Sequence, residues 1–259
     1  MCLILFAIDA HPHYPLILAA NRDEFFARRT QSLHWWQDRP DLLAGKDLEA
    51  GGTWFGIRKD GRFAAITNYR QPTGATWTTS RGLLVRDFLF GDDTPQHYLQ
   101  TLTKTADQYA GFTLLLGDGR ELWHYSNHNN RNHAGAPARI SAGVHGLSNA
   151  LLDTPWPKVD GGRETLKQSL TTEPDPLVLF AMLADNTVPA DAALPDTGVG
   201  IEMERLLGSR FIHGEHYGTR ASTILTIGHD KMVTIHHRDF GPGQTLPTVE
   251  SHWNFRLEI

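Results

Sequence analysis

The chain opens with Cys2-Leu3-Ile4-Leu5-Phe6-Ala7-Ile8, an unbroken apolar run that suits a strand buried on both faces. His11-Pro12-His13-Tyr14-Pro15 marks a turn, and Leu16 to Ala20 reads as the returning strand of an antiparallel pair. That strand enters Asn21-Arg22-Asp23-Glu24, four polar residues between apolar neighbours. Polar groups at the end of a buried strand commonly face a site. Thr30 to Gly52, with Trp35, Trp36 and Pro40, reads as irregular, and Thr53 to Arg58 with Arg62 to Thr67 as a hairpin ending in Asn68-Tyr69-Arg70. Ser80 is the expected N-cap of a helix through Phe90, and Thr94-Pro95 starts a second through about Tyr109.

A second hairpin is predicted from Phe112 to Leu116 and Glu121 to Tyr125, around the turn Gly117-Asp118-Gly119-Arg120. Asn127 to Ala138 is a polar loop, and Arg139 to His145 one further strand entering Gly146-Leu147-Ser148-Asn149. Helices follow near Asp160, over Pro176 to Ala184, and over Ile201 to Leu207 after a Pro- and Asp-rich loop. Strands return at Ala221 to Ile227 and Met232 to His237, and Trp253, Phe255, Leu257 and Ile259 alternate as a half-buried last strand. Hairpins at both ends with helices between them predict an α+β fold of two packed sheets covered by helices, over a single domain 1–259.

Composition narrows the function. With 259 residues and 40% hydrophobic side chains the chain buries a large core without a staple. A formal charge of -5 gives no general attraction to nucleic acid or an anionic membrane. One cysteine leaves no internal disulfide and no cysteine-based zinc site. The opening apolar run stops at Asp9, too short for a signal peptide or a membrane span, so a soluble, cytoplasmic protein is expected. The fourteen histidines include His11 and His13, His213 and His216, and His236 and His237, but no HExxH and no adjoining carboxylate set, so neither metal nor cofactor is expected.

Cys2 carries the chemistry. Loss of Met1 makes it the first residue, holding a thiol and a primary amine on adjacent carbons, and an amine of intrinsic pKa about 8 can take the thiol proton itself. Such a nucleophile needs an acceptor for its amine, donors for the oxyanion and a cation near the sulfur. Asp23 or Glu24 offers the first, Asn68 and Asn149 the second, Arg22 or Arg220 the third.

Six ordered blocks resemble the NRDE family, the homologues of Transport and Golgi organization 2. They are Met1-Cys2, Ala20-Asn21-Arg22-Asp23-Glu24-Phe25, Gly51-Gly52-Thr53-Trp54-Phe55-Gly56, Thr67-Asn68-Tyr69-Arg70, Gly146-Leu147-Ser148-Asn149 with Leu152-Asp153-Thr154-Pro155-Trp156-Pro157-Lys158, and Tyr217-Gly218-Thr219-Arg220. The family is in turn similar to N-terminal nucleophile hydrolases of the penicillin V acylase and bile salt hydrolase type. That similarity implies a four-layer αββα sandwich of two antiparallel sheets, a cysteine amidohydrolase, and a site of Cys2, Arg22 with Asp23, Asn68, Asn149 and Arg220. Asn21, Trp54 and Tyr69, from the same blocks, are expected to contact substrate. The acylase motif separates its Arg from its Asp by two residues, whereas Arg22 and Asp23 are adjacent, so the acid that meets Cys2 stays open between Asp23 and Glu24. The resemblance also implies a small acylated molecule as partner, or a haem or lipid ligand carried without catalysis.

Overall fold

A computed structural model describes residues 2–72, 77, 79–128 and 135–259. Met1 and the middle of the expected polar loop at 127–138 lie outside the described residues. Strands β1 (Cys2–Ile8), β2 (Leu16–Phe25), β10 (Gly143–Leu147), β11 (Tyr217–Ile227), β12 (Met232–Asp239) and β13 (Val249–Arg256) form one antiparallel sheet in the order β10-β1-β2-β11-β12-β13. A second antiparallel sheet takes β3 (Thr30–Trp35), β4 (Leu42–Asp47), β5 (Phe55–Arg58), β6 (Arg62–Asn68), β7 (Phe112–Asp118), β8 (Leu122–Ser126) and β9 (Ala138–Arg139) in sequence order.

Strand alternation sorts the apolar residues into three layers of contact. Ile4, Phe6, Leu18 and Ala20 meet Phe55, Phe63 and Leu115 between the sheets. Leu3, Leu5, Ile17 and Ala19 point the other way, onto Val159 and Leu166 of α3 (Pro157–Ser169) and Leu179 and Leu183 of α4 (Pro176–Leu183). Ala64, Ile66, Leu114 and Leu116 pack under α1 (Gly82–Phe90) and α2 (Pro95–Leu102). The result is the expected αββα sandwich. Helix starts follow capping chemistry: Thr94 accepts from the His97 N–H at 3.2 Å with Pro95 next, and Asp175 accepts from the Leu177 N–H at 2.8 Å with Pro176 next.

Five expectations change. The segment read as irregular at 30–52 contains the β3–β4 hairpin, whose register slips between Gln31 and His34. The stretch from Arg139 to His145 is not one strand, since β9 ends the second sheet and β10 begins the edge of the first. Ser80 sits one residue before the cap position, which Arg81 occupies, and its hydroxyl accepts from the Gly82 N–H at 3.3 Å. The helix after Pro95 stops at Leu102, and the last strand runs from Val249 to Arg256. Among the described residues no helix is long and apolar enough to cross a membrane.

Candidate active site

The alternation that builds the core also places the nucleophile. Cys2 shares the inward face of Ile4 and Phe6, pairs with Arg22 across the β1–β2 ladder, and lines a cleft of about 430 Å³ between the two sheets. β2 does not end at Ala20 but continues through the polar block to Phe25, so neighbours there go to opposite faces. Arg22 and Glu24 take the cleft face, and Asn21 the helix face. The irregularity is in the neighbouring strand: Thr219 pairs with Asp23 and Ala221 with Arg22, leaving Arg220 as the extra residue of a bulge.

Asp23 is buried behind Cys2, and its Oδ1 accepts from the Thr219 hydroxyl at 2.7 Å. Burial pushes its carboxyl up, against the pull of the amino-terminal charge, Lys158, Thr219 and Arg22. Burial also pushes the Cys2 thiol up; the amino-terminal charge, Arg22 and the Asp23 backbone N–H draw it down, while the Asp23 carboxylate adds to the rise. The sulfur is therefore held as a thiol and needs a base at the moment of attack. Glu24 has Arg22 at 3.9 Å and Arg28 at 4.0 Å, and its Oε1 accepts from the Phe25 N–H.

Asn68, at the end of β6, lines the cleft, and its carboxamide has no partner among the described residues. Trp54 lies on the same wall. The Arg220 guanidinium donates to the carbonyls of Phe25 at 3.1 Å and Arg28 at 2.6 Å, and burial together with the like charge of Arg22 lowers its pKa. Tyr69 stands outside the cleft in an adjoining groove of about 1280 Å³, its ring 4.6 Å from that of His128.

Two expected residues are placed elsewhere. Asn21 donates to the carbonyls of Leu183 at 2.9 Å and Arg210 at 2.8 Å and accepts from Ser222 at 2.6 Å, so its carboxamide ties β2 to the helix layer, away from the cleft. Asn149 is buried with its amide on the Asn68 carbonyl at 3.1 Å and its oxygen taking the Ser148 hydroxyl at 3.2 Å. It joins the loop after β10 to the end of β6 and is not part of the cleft wall. That loop is braced by His145 Nδ1 on the Asp153 carboxylate at 2.7 Å.

The hydrogen bond to Asp153 raises the His145 pKa, and the same bond overcomes burial to lower that of Asp153. A raised histidine stabilises fully below its unfolded pKa of about 6.5, and the effect is lost as pH rises through the folded value; a depressed carboxyl loses its part as pH falls through its own folded value. The thermal-stability gap between wild type and His145→Gln is therefore expected to be widest between about pH 4 and 6.5 and to close on the alkaline side. Melting curves from pH 4 to 9 check this, and a pH-independent gap would refute it.

Sequence reasoning passed over the charged layer behind Cys2. Lys158 is buried, donates to the Leu207 carbonyl at 2.9 Å, and is pushed down to about 8 by burial, with Arg70 adding to the fall and Asp23 and Cys2 opposing it. Arg70 pairs with Glu204 of α5 (Ile201–Leu206), donates to the same Leu207 carbonyl, and lies over the Trp156 ring. Arg70, Trp156 and Lys158 all lie in blocks noted from sequence, but a buried cation reveals itself only by what folds over it. Among the described residues no group of three or more His, Cys, Asp or Glu could hold a metal ion.

The sequence profile described as Transport and Golgi organisation 2 matches residues 1–242. The bovine Transport and Golgi organization protein 2 homolog is 35% identical over 289 aligned residues, covering 100% of both chains. The human homolog is 35% identical over 279, covering 99% of this chain and 97% of that one. Among solved structures, a Caenorhabditis elegans N-acylethanolamine-hydrolyzing acid amidase ortholog has a TM-score of 0.51 at 13% identity, with 87% and 92% of the chains covered. A cysteine-to-alanine mutant of the conjugated bile acid hydrolase from Clostridium perfringens has a TM-score of 0.51 at 7% identity, with 99% and 92% covered. These two likenesses establish an N-terminal nucleophile hydrolase fold, and the profile and the relatives establish that the chain belongs to the Transport and Golgi organisation 2 family.

Proposed function

We propose that the protein is a cysteine amidohydrolase that cleaves the carbon-nitrogen bond of an acylated small molecule. The observation that carries this is the inward-facing Cys2 at the start of β1, on the wall of a cleft shared with Arg22, Glu24, Asn68 and Arg220. With Met1 removed, the residue 2 amine takes the Sγ proton as sulfur attacks the carbonyl carbon, and Asn68 donates to the oxygen that gains the electron pair. On collapse the amine returns the proton to the departing nitrogen, and water hydrolyses the thioester. Asp23, buried directly behind the thiol, orients the amine; Glu24, spread between two arginines, keeps the cleft face in charge balance. No cofactor enters this chemistry, and a free thiol suits the reducing cytoplasm.

A carrier role for haem or an acylated lipid is the second reading. Its support is the groove next to the cleft, where Phe25, Trp77, Met203 and Leu206 leave large apolar surfaces exposed. The readings part on one measurement. Incubating the protein with p-nitrophenyl acetate and mapping peptides by mass should give a single acetyl group on a chain that has lost Met1, located at Cys2. An intact chain that retains Met1, or an adduct only at lysines, would overturn the enzymatic reading.

A further inference from the structure

Preorganised donors aimed at the developing charge hold a tetrahedral oxyanion, and the cleft wall supplies the carboxamides of Asn68, at the end of β6, and of Gln31, out on the exposed start of β3. On the wall that belongs to the second sheet, at the start of α1, stands Arg81. Gly52 and Gly82 meet so closely there that a Cβ on Gly52 would fall 2.4 Å from the Gly82 carbonyl carbon, and the Thr53 N–H donates to the Gly82 carbonyl at 3.1 Å. That contact fixes the start of α1 against the Thr53-Trp54 edge of the cleft. One Nη of Arg81 donates to the Gly111 carbonyl at 2.8 Å, which anchors the guanidinium.

Its other N–H groups have no partner among the described residues, and no carboxylate there lies within ion-pair distance. This sets Arg81 apart from its neighbours. Arg28 is bound to Asp47 at 2.6 Å, and Arg220 is turned onto backbone carbonyls. Arg81 lines both the Cys2 cleft and the larger groove, as do Glu24, Asn68 and Ser80 beside it. Burial lowers its proton affinity and the like charge of Arg28 adds to the fall, while Glu24 and Cys2, which line the same cleft, oppose it.

We propose that Arg81 is the second oxyanion donor beside Asn68, in the place that sequence reasoning gave to Asn149. The inference rests on the Cys2 reaction proposed above. As Sγ forms its bond to the carbonyl carbon, the π pair moves to oxygen, and an Arg81 N–H and the Asn68 amide hold it. When the pair returns, the carbon-nitrogen bond breaks and the nitrogen leaves with the proton from the residue 2 amine. Arg81 keeps its own protons throughout, as a guanidinium does.

The test uses full-length protein lacking Met1, with two readouts: the rate of acylation by p-nitrophenyl acetate, and the pH midpoint of Cys2 alkylation by iodoacetamide. Arg81→Met should slow acylation by about 10²–10³-fold and move the alkylation midpoint upward, because a cation near the thiolate is lost. Arg81→Lys should recover part of both, and Asn149→Ala should leave the midpoint in place. Should Arg81→Met fail to fold by circular dichroism, Arg81→Gln, which can still reach the Gly111 carbonyl, takes its place with the same expectations. Acylation at the wild-type rate with an unmoved midpoint would overturn the proposal, as would a loss of this size in Asn149→Ala alone. If wild-type Cys2 takes no acyl group, the oxyanion role falls with the Cys2 reaction; an upward midpoint in Arg81→Met would then still place its charge beside the thiol, so the two failures are distinguishable.

Discussion

Cys2→Ala is expected to abolish acyl transfer to the protein while leaving the fold in place. Cys2 is 6% exposed and lines the cleft on one side, so losing one sulfur atom opens little new cavity, and a cost within about 1 kcal/mol follows. Catalytically the loss is complete, because no other residue combines a nucleophile with its own base. Cys2→Ser sharpens the point. A hydroxyl is a far weaker acid than a thiol, so the same amine removes its proton much less readily, and acylation should fall by orders of magnitude rather than vanish. Stopped-flow acylation and a urea titration on each variant check both halves. Unchanged acylation in Cys2→Ala would remove the cysteine from the mechanism.

The largest stability effect is expected at Glu204. Its carboxylate meets Arg70 with both side chains almost fully enclosed, at 3% and 2% exposure, and its Oε1 accepts from the Thr197 N–H at 2.9 Å and hydroxyl at 2.5 Å. Arg70 and Lys158 both donate to the Leu207 carbonyl, so Glu204→Ala leaves two buried cations without the carboxylate that pairs with Arg70. Breaking a buried pair from one side costs roughly 3–5 kcal/mol. For a chain of this size that is a fall in Tm of roughly 6–20 °C. Glu204→Gln should lose less, since it still accepts from Thr197. A Tm within 2 °C of wild type for Glu204→Ala would show that the pair is open to solvent.

The two central hairpins were legible because their apolar residues are continuous or alternate cleanly, as in Cys2–Ile8 and Phe112–Asp118. β3 was not. Gln31 and Ser32 are exposed at the polar cleft and only Leu33 and Trp35 reach the core between the sheets, so Thr30–Trp35 carries too short a stripe to read as a strand. The change of sheet between Arg139 and Gly143 left no mark either, since local pattern records burial and not which sheet provides it.

In the site, Cys2, Arg22, Glu24, Asn68, Trp54 and Arg220 meet at one cleft. Asn21 and Asn149 share the residue type that such a site uses, but Asn21 is consumed in tying β2 to the helix layer and Asn149 in holding the loop after β10, roles that composition and order cannot separate from catalysis. The alternation of β2 sets Arg22 and Asp23 on opposite faces, yet Asp23 still reaches the cleft lining from behind Cys2. A bulge in the neighbouring strand, at Arg220, is the feature that no pattern in β2 could announce.

The position of β1 also sets a timetable. Its outer neighbour β10 holds Leu147 opposite Ile4, and the far side of β2 is covered by β11, which starts at Tyr217. Synthesis at about 5–20 residues per second delivers β10 roughly 7–30 s after β1. Until then Cys2 and the rest of β1 are flanked on one side only. Once the later strands dock, Cys2 is left 6% exposed, open only toward the cleft. For the reaction proposed at Cys2, trimming of Met1 then belongs to biosynthesis, before the later strands dock, and protein refolded from an untrimmed chain is expected to be complete in shape and silent in acylation.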